Sequence, residues 1–286
     1  MTRAGPIRTS LNERLVATLR PLPVRGKSRL LRHVVPSTGV RVAVIFGSRL
    51  RLDLANFIDR MIFMGCYEPA NTHRFKRILK TGQTVIDVGA NIGYFTLLAA
   101  QLIGPRGKIV AIEPHPTNFQ LLKETLETNS LEQVTALDIG LGEREGTGQV
   151  HMADQVQFPN RTASMVTSEE WVSFPVRVRA LDDCLREWGI DTVDLLKIDV
   201  DGFESKIISG SRDSLRSGRI KNLIIEFNDF WLKKAGDSEL DLRSRIEDLG
   251  FERVSWWPSE QLLGPTHDHH FRWKGSKGAH GNSWQP

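Results

Sequence analysis

Cysteine, tyrosine and long apolar runs are all scarce in this chain of 286 residues. Its two cysteines, Cys66 and Cys184, stand far apart with no metal-type spacing. That argues against a disulfide framework or a cysteine-based zinc site and points to a reducing, cytoplasmic setting. No run approaches the roughly 18 apolar residues of a membrane span. The start has no succession of charged, apolar and small residues, so a secretory signal is not expected either. Internal repeats are absent. Acid is what the first 60 residues lack, with 3 Asp and Glu against 12 Lys and Arg. The remainder reverses the balance, 31 acids to 26 bases. A basic start of this kind suits an anionic membrane surface or a nucleic acid. A solvated arm folded against an acidic body explains it more simply, and an organellar transit peptide is a third, weaker reading. Nucleic acid is disfavoured as a partner, peripheral membrane contact stays open, and the oligomeric state is not legible.

One stretch organises what is present. Thr84 to Val88 is a short β-branched run, Gly89-Ala90-Asn91-Ile92-Gly93 is a glycine turn, and Tyr94 to Ala100 continues at helical spacing. Strand, glycine loop and helix in that order form a nucleotide-type cradle. Asp87, at the carboxyl end of the strand, would repel a pyrophosphate and attract a cation. S-adenosylmethionine carries a sulfonium and an ammonium and no phosphate. The loop also departs from Gly-x-Gly-x-x-Gly, which weighs against a dinucleotide. In this reading Gly89, Ala90 and Gly93 admit the donor's amino-acid portion, and Asn91 orients the loop or the donor. One βα unit later, Lys108 to Ile112 ends in Glu113-Pro114. A carboxylate there can accept from both ribose hydroxyls. Val134 to Asp138 is a third strand, and Gly140 after it would bring backbone to the adenine side.

Around this core, Leu11 to Leu19 suggests a helix, and Val40 to Phe46 with Leu50 to Leu54 suggests a hairpin. Ala55 to Phe63 is helical, Gly65 to Pro69 a turn, and Thr72 to Leu79 a helix. Glu68 is either a helix-start residue or a wall of the site. Residues 143–180 break the βα rhythm, with strands at Gln149 to Met152 and Pro175 to Arg179. The polar stretch from Gln155 to Ser164 between them could cover the site. A helix at Leu181 to Glu187 leads to a strand at Val193 to Val200. Lys197 is costly in that apolar strand unless paired, and Asp199 shares its face. Asp199, Asp201 and Glu204 form a candidate catalytic cluster, with Glu226 a further acid. A helix from Glu204 to about Leu215 and a strand at Asn222 to Phe227 follow. Ser238 to Leu249 is a helix, and Phe251 to Trp256 and His269 to Lys274 form a final hairpin. His267, His269, His270 and His280 suggest metal at first sight, yet His269 and His270 point apart on a strand. No metal ligand is assigned. A divalent ion on Asp199 and Asp201 is chemically reasonable without being required.

Four segments together resemble the FkbM family of S-adenosylmethionine-dependent methyltransferases. They are Gly65-Cys66-Tyr67-Glu68-Pro69, Val85 to Gly93, Glu113-Pro114, and Leu195 to Glu204. Asn160 to Val166 is similar to the family's Ser-rich loop, with Met165 where a second serine is usual, and Asp201 stands where the family has Glu. The resemblance implies an α/β, Rossmann-like class I methyltransferase fold. Its sheet would be seven-stranded and mostly parallel, with an antiparallel last strand and helices on both faces. Residues 1–64 would be a basic extension, 65–274 the methyltransferase domain and 275–286 a flexible tail. The implied reaction is O-methylation of a small molecule, sugar or glycolipid. Glu68, Asp87, Gly89, Ala90, Asn91, Gly93, Glu113, Pro114 and Gly140 would hold the cofactor. Asp199 is the first choice of base, ahead of Asp201 and Glu204. The competing classes are an RNA methyltransferase and an NAD-dependent oxidoreductase.

Overall fold

The structure, a computed structural model, describes Val16, Thr18, Leu19 and residues 27–152, 163–164, 172–255 and 268–275. A short helix α1 (Lys27–Leu31) precedes an antiparallel hairpin of β1 (Val40–Ile45) and β2 (Ser48–Asp53). Phe46 and Gly47 turn it with positive φ at both, the twist-matched geometry for a two-residue loop. Asn56 then starts α2 (Phe57–Met64) by accepting from the amides of Ile58 and Asp59. Gly65 ends that helix in the left-handed conformation. The next helix, α3 (Pro69–Ile78), begins three residues before the expected Thr72. Proline at the first helical position loses no hydrogen bond, so Pro69 opens the helix rather than closing a turn.

The main sheet holds seven strands in the order β12-β13-β11-β10-β3-β4-β5. These are β3 (Thr84–Val88), β4 (Lys108–Ile112), β5 (Val134–Leu137), β10 (Leu195–Ile198), β11 (Asn222–Glu226), β12 (Phe251–Val254) and β13 (Asp268–Trp273). The central pairs are parallel, and β13 runs antiparallel to both neighbours. Successive residues of the central strands enter different cores. Val85, Ile109, Leu195 and Ile224 pack with α4 (Tyr94–Ile103) and with the hairpin's Ala43, Ile45, Leu50 and Leu52. Ile86, Val110, Leu196 and Leu223 pack with α6 (Leu181–Glu187), α7 (Glu204–Ser209), α8 (Arg212–Arg216) and α10 (Glu239–Asp248). A parallel sheet buried on both faces explains the unbroken apolar runs in its strands. The β4–β5 crossover is α5 (Pro116–Thr128), whose C-terminal Asn129 bonds the Arg49 backbone of β2. Residues 31–64 therefore share a core with the sheet.

A second sheet, β6-β9-β7-β8, accounts for the broken rhythm. It consists of β6 (Gly140–Leu141), β7 (Gly146–Met152), β8 (Ala163–Ser164) and β9 (Val172–Arg179). The helix expected from Glu204 to Leu215 is two helices, broken at Gly210 and Ser211. A Cβ on Gly210 would lie 2.0 Å from the Gly142 carbonyl oxygen, so the close approach needs glycine. Asp182 then starts α8, accepting from the amides of Asp213 and Ser214. A helix with no sequence counterpart, α9 (Asp229–Lys234), follows β11. The Leu11 to Leu19 helix, the Gln155 to Ser164 segment, the Ser-rich stretch and the tail lie largely outside the described residues.

Candidate functional site

The strand order reverses beside β3, with β4 on one side and β10 on the other. Open α/β sheets form a crevice at such a point, outside the carboxyl ends of the strands. A cavity lies there, reached by Asp87, Glu113, Pro114, Asp199 and Asp201. Gly89, Ala90, Asn91 and Gly140 line it with backbone or short side chains. Ile139, Leu141, Val150 and Phe203 give it an apolar wall, and Ile58 and Ile62 of α2 reach it from the N-terminal segment. Glu68, Gly93 and Glu204 are not in the lining.

The glycines also leave room for protein. A Cβ on Gly89 would sit 1.9 Å from the Asp199 carbonyl oxygen of the neighbouring strand end. On Gly93 it would sit 3.0 Å from Leu122 of α5. Both have positive φ, as does Asn91. Four of the loop's five amides are also spent internally. Gly89 and Ala90 donate to the Ile112 carbonyl, Gly93 to that of Ala90, and Asn91 to the Glu113 carboxylate at 2.8 Å. A phosphate cradle needs such amides turned toward its ligand, so this loop is poorly disposed to hold a dinucleotide.

Charge is concentrated where β3 and β10 run side by side, with Lys197 in register with Asp87. Lys197 is buried, its Nζ 2.8 Å from Asp199 Oδ2, 4.0 Å from Asp87 Oδ1 and 5.0 Å from the Phe95 ring centre. Burial alone would lower its pKa, but the carboxylates of Asp199, Asp87 and Glu68 more than offset that and hold it above the ordinary value. Asp87 is fully buried. Its Oδ2 accepts from Thr96 at 2.6 Å, while Oδ1 has no hydrogen-bond partner. Burial raises the Asp87 pKa against the pull of Lys197 and Thr96. Asp199 is the exposed member, with 27 % of its side chain accessible.

Glu113, just past β4, accepts from the amides of Asn91 and His115 at 2.8 and 3.0 Å. Burial pushes its pKa up to about 7 despite those bonds. Each carboxylate oxygen keeps acceptor capacity for a further donor. Beside it Asn118 lines the cavity with its Oδ1 buried and unpartnered. Asp201 occupies the turn after β10 with φ of 49°, and burial and the Asp199 and Glu204 charges push its pKa to about 8. Glu204 is wholly buried beneath that turn and accepts from the Gly202 amide at 3.0 and 3.2 Å. It bonds the turn and is not in the cavity lining, unlike Asp199 and Asp201. Glu68 precedes Pro69 and accepts from Asn71 of α3 at 2.7 Å. Burial and the charges of Asp268 and Asp199 raise it to about 8, so it belongs to the acidic group without lining the cavity. Glu226, at the end of β11, is likewise raised, to about 10, by burial and by Asp199.

His269 and His270 do face apart. His270 is buried against Asn222 at 3.0 Å, and His269 lies edge-on to Phe227 at 4.7 Å. Sequence reasoning missed Thr96 and Asn118. Asn118 carried a weak signal, lying on the first turn of a helix just after Glu113. Thr96 carried none, since its placement depends on how α4 docks.

An orphaned buried carboxylate oxygen suits a positive centre. A doubly anchored acid with spare lone pairs suits vicinal hydroxyls, and an apolar wall suits a flat ring. S-adenosylmethionine has all three features. The family model for the Methyltransferase FkbM domain matches residues 87–253, more than half the chain. Methyltransferase sdnD of Sordaria araneosa is 29 % identical over 244 residues, covering 72 % of this chain and 87 % of that protein. The 2-O-methyltransferase NoeI of Sinorhizobium fredii is 25 % identical over 196 residues, covering 63 % and 76 %. The crystal structure of Methyltransferase FkbM from Methylobacillus flagellatus is 15 % identical with a TM-score of 0.46, covering 92 % of this chain and 58 % of that one. The chain belongs to the FkbM family of S-adenosylmethionine-dependent methyltransferases.

Proposed function

We propose that this protein methylates a hydroxyl oxygen on a small molecule, saccharide or glycolipid. The observation that carries the reading is the Asp87–Lys197–Asp199 row, which ends in a carboxylate at the cavity. S-adenosylmethionine supplies, when bound, a methyl group already activated by its sulfonium. Glu113 receives the ribose hydroxyls, and Pro114, Asn91 and Ala90 shape the adjoining wall. Asp87, directly or through water, offsets the donor's positive charge. Ile139, Gly140, Leu141 and Phe203 take the adenine.

Asp199 would accept the hydroxyl proton through Oδ1 as the oxygen takes the methyl and the donor's methyl–sulfur bond breaks, its electron pair staying on sulfur in the departing S-adenosylhomocysteine. Lys197 holds the opposite oxygen, Oδ2, and so fixes which lone pairs face the acceptor. Asp201 lies beside it as a second acid on the acceptor side. Much of the acceleration then comes from alignment, because the donor needs no further activation. An acid-lined cavity repels phosphodiesters, which supports a small-molecule or saccharide acceptor over RNA. NoeI, by its name a 2-O-methyltransferase, supports oxygen as the atom methylated.

Incubation with isotopically methyl-labelled S-adenosylmethionine and a panel of hydroxyl-bearing saccharides and small molecules tests this. Label in a methyl ether is the expected product. Label on nitrogen or carbon instead would contradict the proposal.

A further inference from the structure

We propose that the outer face of the β1–β2 hairpin docks on an anionic lipid surface. The hairpin turns Ala43, Ile45, Leu50 and Leu52 into the core. Alternation therefore sends Val40, Val42 and Val44 outward, and they are 45, 54 and 62 % exposed. Arg51 stands directly across from Val42, and Arg49 across from Val44, both exposed on the same face. The result is a ribbon of three β-branched apolar side chains edged by two guanidiniums, with the Asp53 carboxylate across from Val40 at one end.

Two independent distributions meet on this segment. Among the described residues, seven large hydrophobic side chains are exposed, and Leu30, Val40, Val42, Val44 and Phe57 are five of them. Scattered singly they would be ordinary, but here they crowd into Leu30–Phe57. The same segment is cationic, with Arg32, Arg41, Arg49 and Arg51 against Asp53 alone. An apolar face with a cationic rim matches the acyl–headgroup boundary, where valines enter and arginines meet phosphate. An acidic protein would satisfy the arginines and leave the valines wet. Just past the hairpin, α2 starts at the half-exposed Phe57 and sends Ile58 and Ile62 into the cavity. Docking would bring the cavity close to the lipid surface. The inference does not rest on the reaction proposed above.

Sedimentation of the full chain with vesicles tests it. Phosphatidylcholine mixed with phosphatidylglycerol should bind at least about tenfold more tightly than phosphatidylcholine alone, and added salt should weaken the binding. The double variants V42D/V44D and R49A/R51A should each lose about tenfold or more while keeping the wild-type Tm. The arginine pair serves if the aspartates unfold the hairpin. Three results would overturn the proposal. One is no preference for anionic vesicles, and another is binding unchanged in both variants. The third is a concentration-dependent dimer that both variants abolish, which would make a second copy the occupant.

Discussion

Lys197 shows how one residue can be read two ways. Its place in an apolar strand requires a partner, and Asp199, two residues on, shares its face. The structure pairs them at 2.8 Å and adds Asp87 across the ladder at 4.0 Å. The pairing was legible because alternation in a strand is rigid. The depth of Asp87 was not, since it depends on Thr96 and Phe95 of a helix that docks over it. A structural ion pair and a positioned base make different predictions for Asp199. If Asp199 takes the acceptor's proton, Asp199→Asn should cut kcat by about 100-fold or more and leave donor affinity within a few fold. In either case the variant leaves Lys197 with the more distant Asp87 and should destabilise the fold by roughly 3 kcal/mol, but if Asp199 only balances Lys197, turnover per folded molecule should be unchanged. Single-turnover kinetics beside thermal unfolding separate the two.

At the scale of elements, the strand–loop–helix unit from Thr84 to Ile103 was visible from its glycines, but the reason for the glycines was not. Gly89 is required by the backbone of Asp199, so the loop and the end of β10 are built against each other. Gly89→Ala would force a Cβ to 1.9 Å from that carbonyl oxygen in a left-handed conformation. A loss of about 2–4 kcal/mol is expected, with Tm lower by roughly 5–10 °C. Calorimetry showing an unchanged Tm would contradict the crowding argument. Long-range packing also explains the misread helix. Nothing local in Ser209-Gly210-Ser211 separates a break from a tolerated glycine, and the deciding atom belongs to Gly142. The extra helix α9 escaped for a related reason, since Asp229–Lys234 spans too few residues to show a period.

Across the whole molecule, carboxyl groups gathered at one end of the sheet set the response to pH. Burial raises Glu68 and Asp201 to about 8, and Glu113 and Glu204 to about 7. Raised acids bind their protons more tightly folded than unfolded. Their contribution to stability is full below about pH 4 and is lost as pH rises through 7 and 8. Burial depresses His115 to about 4 and His270 to about 3, and their contribution has the opposite sense, fading as pH falls below 6.5. Above that point the acids act alone. The Tm of the ligand-free protein should therefore fall on the order of 5 °C from about pH 6.5 to 8.5. A Tm that rises over this window would contradict the burial of these groups. The seven-stranded sheet with its antiparallel last strand was legible from the alternation of strands and helices together with the family resemblance. That the N-terminal segment reaches the cavity was not, because Ile58 and Ile62 look like any apolar face of a helix.

The central claim is that acids on two neighbouring parallel strands shape a cavity for a sulfonium-bearing nucleoside. Equilibrium titration calorimetry of the full chain with S-adenosylmethionine and with NAD tests it most directly, with Glu113→Ala alongside. S-adenosylmethionine should bind and NAD should not, and removing the Glu113 carboxylate should weaken the donor by about 10–100-fold. Tight NAD binding, or donor affinity unchanged without the Glu113 carboxylate, would contradict the account.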